Sequence, residues 1–142
     1  MTIREAIIDD YKDIYFINKN GLGYDFPEDQ TKEQLKIILN APTDKIFVAE
    51  IDGKVVGYIQ LSAYECTYSE SLKNILALVV SEGFRKMGIG RKLLQTAEEW
   101  AKKSGAKADR LVSSSYQTGA HQFYINCGYT MRKDQKNFVK WL

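Results

Sequence analysis

The chain has 142 residues, 44% of them hydrophobic, enough to bury one core and short for two, so a single domain over residues 1–142 is expected. Its 20 basic and 18 acidic side chains are interspersed, which argues against a nucleic-acid module with a basic stripe; the densest cationic run, Arg85, Lys86, Arg91 and Lys92, is local. No apolar run reaches the roughly 18 residues of a membrane span, Met1 to Glu5 lacks a signal-type apolar region, and Cys66, Cys127 and His121 are too isolated for a metal site or disulfide scaffold, so a soluble, cytoplasmic protein without metal or membrane partner is expected.

Taken in order, Thr2 to Ala6 reads as a short strand, and Asp10 to Asn20 as a helix with Tyr11, Ile14, Tyr15 and Ile17 on its apolar side and Gly21 as its stop. Gly21 to Gln30 is a loop. A second helix is expected to begin at Thr31, where Gln34 completes a capping-box pattern, and to end before Pro42. Lys45 to Ile51 and Lys54 to Ser62 are β-branched apolar runs joined by Asp52-Gly53, a two-residue turn signal that predicts a hairpin. After a polar connection comes a strand over Ile75 to Val80, a glycine-bearing loop, and a helix from Gly88 to Ser104 stopped by Gly105. Leu111 to Ser114 reads as a fifth strand, Thr118 to Asn126 as a helix capped by Thr118, and Gly128 to Lys133 and Lys136 to Leu142 as two final strands. The order is β-α-α-β-β-β-α-β-α-β-β, an α/β sheet protein with helices on its faces.

The most informative stretch is Arg85-Lys86-Met87-Gly88-Ile89-Gly90, between that strand and an amphipathic helix. Glycines let a backbone turn tightly, and the first turn of the helix offers unpaired N–H groups and the positive end of its dipole, so the loop suits an anion. It is not a P-loop, because no Lys-Ser or Lys-Thr follows Gly83 and Gly88 at the required offset. Nor is it a dinucleotide fingerprint, because Leu93 stands where a third glycine belongs.

Arg85-x-x-Gly88-x-Gly90 resembles the Q/R-x-x-G-x-G/A signature of the GNAT family of N-acetyltransferases. A second segment, Ala120 to Tyr129, is similar to that family's A-x-x-L/F-Y-x-x-x-G-F/Y pattern, in the expected order and separation. The resemblance implies a mixed central sheet splayed between strands 4 and 5 to admit a pantetheine arm, acetyl-CoA as acetyl donor, and an amine as acceptor. It further implies that backbone N–H groups of Met87, Gly88, Ile89, Gly90 and Arg91 grip the pyrophosphate, with Arg85 and Lys86 adding charge. The Val80 N–H is the expected donor to the thioester carbonyl, with Leu78 and Val79 lining the acetyl slot. Tyr124, in the tyrosine position of the second motif, is the expected acid for the leaving thiolate, and Gln117 stands where relatives carry an asparagine against the pantetheine.

The chain departs from the family where many members carry a carboxylate on the fourth strand as general base: the corresponding positions are Ile75 and Leu76, with Asn74 beyond. Glu65, Glu70, His121, a water chain and bulk solvent remain as alternatives. On the acceptor side the resemblance points to the connection between the first two helices. There Tyr24, Asp25 and Phe26 suit a cationic primary amine of a small molecule or peptide, through charge pairing and cation–π contact. The missing acid also keeps open a non-catalytic acyl-CoA sensor. Apolar Phe138, Val139, Trp141 and Leu142 allow a homodimer of the kind relatives form through their C-terminal strands.

Overall fold

The sheet grows outward from the Asp52-Gly53 turn. Both residues adopt positive φ, 51° and 76°, the left-handed pair that a two-residue turn needs to match the twist of its strands. They join β2 (Lys45–Ile51) to β3 (Lys54–Tyr64), as the sequence anticipates. Antiparallel pairing adds β1 (Thr2–Glu5) beside β2 and β4 (Leu72–Val80) beside β3, and β5 (Asp109–Arg110) lies parallel to β4, so the sheet runs β1-β2-β3-β4-β5. The computed structural model describes residues 1–142 in two units, Met1–Leu111 and Val112–Leu142; all five strands belong to the first.

Register assigns the faces. Val48, Tyr58 and Val79 are cross-strand partners and therefore share one side of the sheet. There they join Ile14 and Ile17 of α1 (Tyr11–Ile17) and Leu35 of α2 (Glu28–Leu39) in one buried cluster. Gly57 and Ile59 point the other way, where a Cβ at Gly57 would lie 3.4 Å from Leu93 Cδ1. Leu93, Ala97 and Ala101 of α3 (Ile89–Lys103) recur every four residues and are all buried, the stripe an amphipathic helix lays on a sheet. Fully burying one such leucine or isoleucine contributes about 1.5–3 kcal/mol.

Several boundaries move. α2 begins at Glu28, not Thr31: Thr31 lies inside the helix, its hydroxyl donating to the Pro27 carbonyl at 3.0 Å, so the capping box expected there does not form. Glu28 and Asp29 occupy the first turn instead, where carboxylates complement the helix dipole. α1 is shorter than expected and runs into a π-helical turn over Asn18–Leu22, which Gly23 ends at φ 76°. β5 is Asp109–Arg110 rather than Leu111 to Ser114, because its place is set by pairing with Lys73 and Asn74 and by Arg110 donating to Asn74 Oδ1 at 2.6 Å, neither of which local pattern reveals.

In the second unit, α4 (Thr118–Asn126) spans the expected residues, although Gln117 rather than Thr118 is its N-cap. The two strands expected over 128–133 and 136–142 are not formed. Strand register is held by burying one face, and here Met131, Phe138, Val139, Trp141 and Leu142 are exposed.

Candidate active site

The end of β4 supplies the first component. Ser81 donates its N–H to the Val56 carbonyl on β3 at 2.8 Å. Backbone direction alternates along a strand, so the N–H and C=O of Val80 point away from β3. On that side β5 pairs only with Lys73 and Asn74, so the edge from Ile75 to Val80 has no strand beside it. This is the opening expected between strands 4 and 5. The same alternation separates two expected slot residues: Val79 faces the α1/α2 cluster, and Leu78, paired with Ile59, faces the α3 side. Their side chains do not line one cavity together. A β-bulge lies just upstream, where Gln60 pairs with Ala77 and Leu61 with Ile75, leaving Leu76 unpaired and exposed.

The loop follows directly. Lys86 and Gly88 both take positive φ, 63° and 80°, winding the backbone into the start of α3. A Cβ at Gly88 would meet nothing within 4 Å, so glycine is needed there for conformation, not space. Gly88 is the N-cap of α3 and brings no capping side chain. Its carbonyl takes the Lys92 N–H at 3.1 Å, so the N–H groups of Ile89, Gly90 and Arg91 precede the first intrahelical bond and stay available to an anion. Ile89, 2% exposed, anchors this turn in the core, while Met87 is exposed. Arg85 does more than supply charge: its Nε donates to the Val80 carbonyl at 3.0 Å, clamping the loop onto the open edge and leaving four guanidinium N–H groups uncommitted by that bond.

Beside β4 on the α1/α2 face lies the π-helical turn. A Cβ at Gly21 would stand 2.6 Å from Val79 Cγ1 and 3.9 Å from an Arg85 guanidinium nitrogen, so this backbone rests on the last turnward residues of β4. Tyr24 and Phe26 follow, both exposed. Asp25 accepts the Tyr15 hydroxyl at 3.3 Å and lies 3.9 Å from Lys19 Nζ, so part of its charge is already compensated. Sequence reasoning missed two residues here. Tyr58, 4% exposed, donates its hydroxyl to Asn18 Oδ1; a tyrosine within the run Val55-Val56-Gly57-Tyr58-Ile59 was the available signal, since a buried phenol needs a partner.

The second unit carries Gln117 and Tyr124. Burial pushes the Tyr124 hydroxyl up to about 12, with Cys127 adding to the rise, so it stays protonated over the ordinary pH range. Its ring meets Phe123 and Tyr129 edge-on, at centroid distances of 5.3 and 5.7 Å. Gln117 Oε1 lies 3.4 Å from the Ser113 hydroxyl. His121 Nε2 lies 2.9 Å from the Ser114 carbonyl; a carbonyl only accepts, so that nitrogen carries the proton and cannot act as a base. Among the other base candidates, Glu65 accepts the Ser71 hydroxyl at 2.8 Å.

The family model described as the acetyltransferase (GNAT) family matches residues 4–129. An uncharacterized N-acetyltransferase of Methanocaldococcus jannaschii is 29% identical over 95% of the chain, which spans 60% of that protein's length. Aminoalkylphosphonate N-acetyltransferase of Salmonella typhimurium is 28% identical over 89% of this chain and 83% of its own. Among solved structures, AAC(6')-Iy in complex with the bisubstrate analog CoA-S-monomethyl-acetylneamine superposes with a TM-score of 0.87 at 19% identity, covering 99% of this chain and 98% of that one, which shows a shared fold. No helix is long and apolar enough to cross a membrane. With both signature segments inside the matched span, the chain belongs to the acetyltransferase (GNAT) family and is an acyltransferase.

Proposed function

We propose that this chain is an acetyl-CoA-dependent N-acetyltransferase, one domain over residues 1–142, that moves acetyl to the primary amine of a small molecule or peptide by direct attack in the cytoplasm, with no metal. The observation that carries the reading is the adjacency of two backbone devices, the outward Val80 N–H on an unpaired strand edge and the uncapped N–H groups that open α3 nine residues later. In this reading the amides of Met87 to Arg91 hold the pyrophosphate, with Lys86 and the free part of Arg85 adding charge. The dipole of α3 contributes roughly 0.3–1 kcal/mol, so most of the grip comes from several charge-assisted hydrogen bonds. The pantetheine runs along the β4 edge, and Gln117 is the residue that the family pattern assigns to contact it.

The amine attacks the thioester carbonyl; a C–N bond forms, and the oxyanion of the tetrahedral intermediate is met by the Val80 N–H. Collapse expels the thiolate, which takes the Tyr124 proton, and the amine's surplus proton passes to water. No carboxylate stands at Ile75 or Leu76 to take it, so the acceptor arrives as the free base from solvent. Tyr24, Asp25 and Phe26 border the acceptor. Since Lys19 and Tyr15 already engage Asp25, its preference for cationic amines is modest, a few-fold in KM that Asp25→Asn removes.

Thiol release from acetyl-CoA, followed on addition of a panel of primary amines, tests the proposal. Amine-dependent release with formation of the N-acetyl product is expected. Tight acetyl-CoA binding with no release to any amine would leave the chain an acyl-CoA-binding module.

A further inference from the structure

Tyr58 is a buried phenol in a cluster of aliphatic side chains, and its one polar contact reaches across the sequence to Asn18. Burial pushes that hydroxyl up to about 12, with Tyr24 adding to the rise and the bond to Asn18 opposing it, so it is a neutral, permanent donor. Asn18 opens the π-helical turn, a conformation that is rare and recurs at functional positions. Its backbone carbonyl is occupied by the N–H of Tyr24 at 3.2 Å, and its side-chain oxygen by Tyr58, which leaves the Nδ2 amide N–H groups as the side-chain donors. Tyr58 is the cross-strand partner of Val79, the residue before Val80, and Gly21 of the same turn rests on Val79. The Asn18 amide is thus held on the sheet face of Val79, next to Val80, where the acetyltransferase reading brings the acceptor amine.

We propose that Asn18 determines acceptor specificity, donating from Nδ2 to an oxygen that the acceptor carries near its reacting nitrogen, and that Tyr58 is the positioning residue that holds the amide in that orientation. The inference rests on the acetyltransferase reading and narrows its substrate class to amines bearing a hydroxyl, carbonyl or phosphonate-type oxygen close to the amine.

The test compares paired amines, 2-aminoethanol with propylamine and 3-amino-1-propanol with butylamine, on the full-length protein. The wild type is expected to favour the oxygen-bearing member of each pair in kcat/KM by about three- to tenfold, the range of one net hydrogen bond. Asn18→Ala should lower that ratio by about three- to tenfold, Tyr58→Phe should lower it less, and both should leave the KM for acetyl-CoA unchanged. A wild type without the preference, a ratio that survives Asn18→Ala or is untouched by Tyr58→Phe, or parallel rises in both KM values would overturn the proposal. A wild type that acetylates no amine at all would instead defeat the acetyltransferase reading on which it stands.

Discussion

Residues 1–111 and 112–142 are built on different terms. Every buried side chain, from Ala6 to Ala101, lies in the first stretch. In the second, α4 has none, and Tyr124 is held by local means: two edge-on rings and the Tyr129 N–H bonding back to the Tyr124 carbonyl at 2.9 Å. The loop that would grip the coenzyme is thus pinned to the core through Ile89, and the proposed acid sits where stability and chemistry are only loosely tied. Substitutions near the loop should disturb fold and function together more readily than substitutions in α4.

The widest gap should appear in stability. Leu93→Ala removes a fully buried side chain and is expected to cost about 2–5 kcal/mol, whereas Ile125→Ala in α4, 45% exposed, should cost under about 1 kcal/mol. Denaturant unfolding of both variants measures this, and equal losses would erase the distinction between the regions.

Next comes Tyr124→Phe, which keeps the ring and removes the proton. kcat should fall on the order of 10²-fold with coenzyme affinity within a few-fold and stability nearly unchanged. Because the hydroxyl is pushed up to about 12, any high-pH fall in the wild-type rate belongs near that value rather than the ordinary phenol's roughly 10. A normal turnover in the Phe variant would reduce Tyr124 to packing.

A smaller effect is expected at Gly88, whose φ of 80° a β-branched residue resists. Gly88→Val should weaken acetyl-CoA binding about tenfold, roughly 1.4 kcal/mol, and also lower stability by about 1–2 kcal/mol, the coupling of grip and fold that α4 lacks. Calorimetry on the folded variant with unchanged affinity would detach the loop from the coenzyme.

The smallest effect concerns Asp109, whose two carboxylate oxygens are buried without hydrogen-bond partners. Burial, then repulsion from Glu98, raises its pKa from 3.8 to about 6 against the pull of Lys73. A carboxylate whose folded pKa is raised favours the folded state while protonated, so its contribution is whole below the unfolded pKa and is lost as pH rises through the folded one. Asp109→Asn should therefore raise Tm by a few degrees at about pH 8 and hardly at all at about pH 4. An equal gain at both would rule out titration as its cause.

What the sequence revealed was what is encoded locally. The Asp52-Gly53 turn, the four-residue apolar spacing of Leu93, Ala97 and Ala101, the glycine loop and the limits of α4 each depend on neighbours within a few positions, and each was legible. The outward direction of Val80 follows from β3–β4 register, Arg85's clamp from the path of the loop, and the Tyr58–Asn18 bond joins residues 40 apart in the chain; no local pattern carries these. The two C-terminal strands failed for a related reason: apolar residues alone specify a strand only when a face is buried, and at Phe138 to Leu142 none is.

Backbone amides of the loop and of Val80 are proposed to receive the acetyl donor. Amide chemical shifts recorded by NMR during titration of the isotope-labelled protein with acetyl-CoA test it most directly. The largest shifts are expected at Met87 to Arg91 and at Val80, with the Val80 amide moving less when desulfo-CoA, which lacks the thioester, replaces acetyl-CoA. Saturable binding that leaves those six amides in place would contradict it.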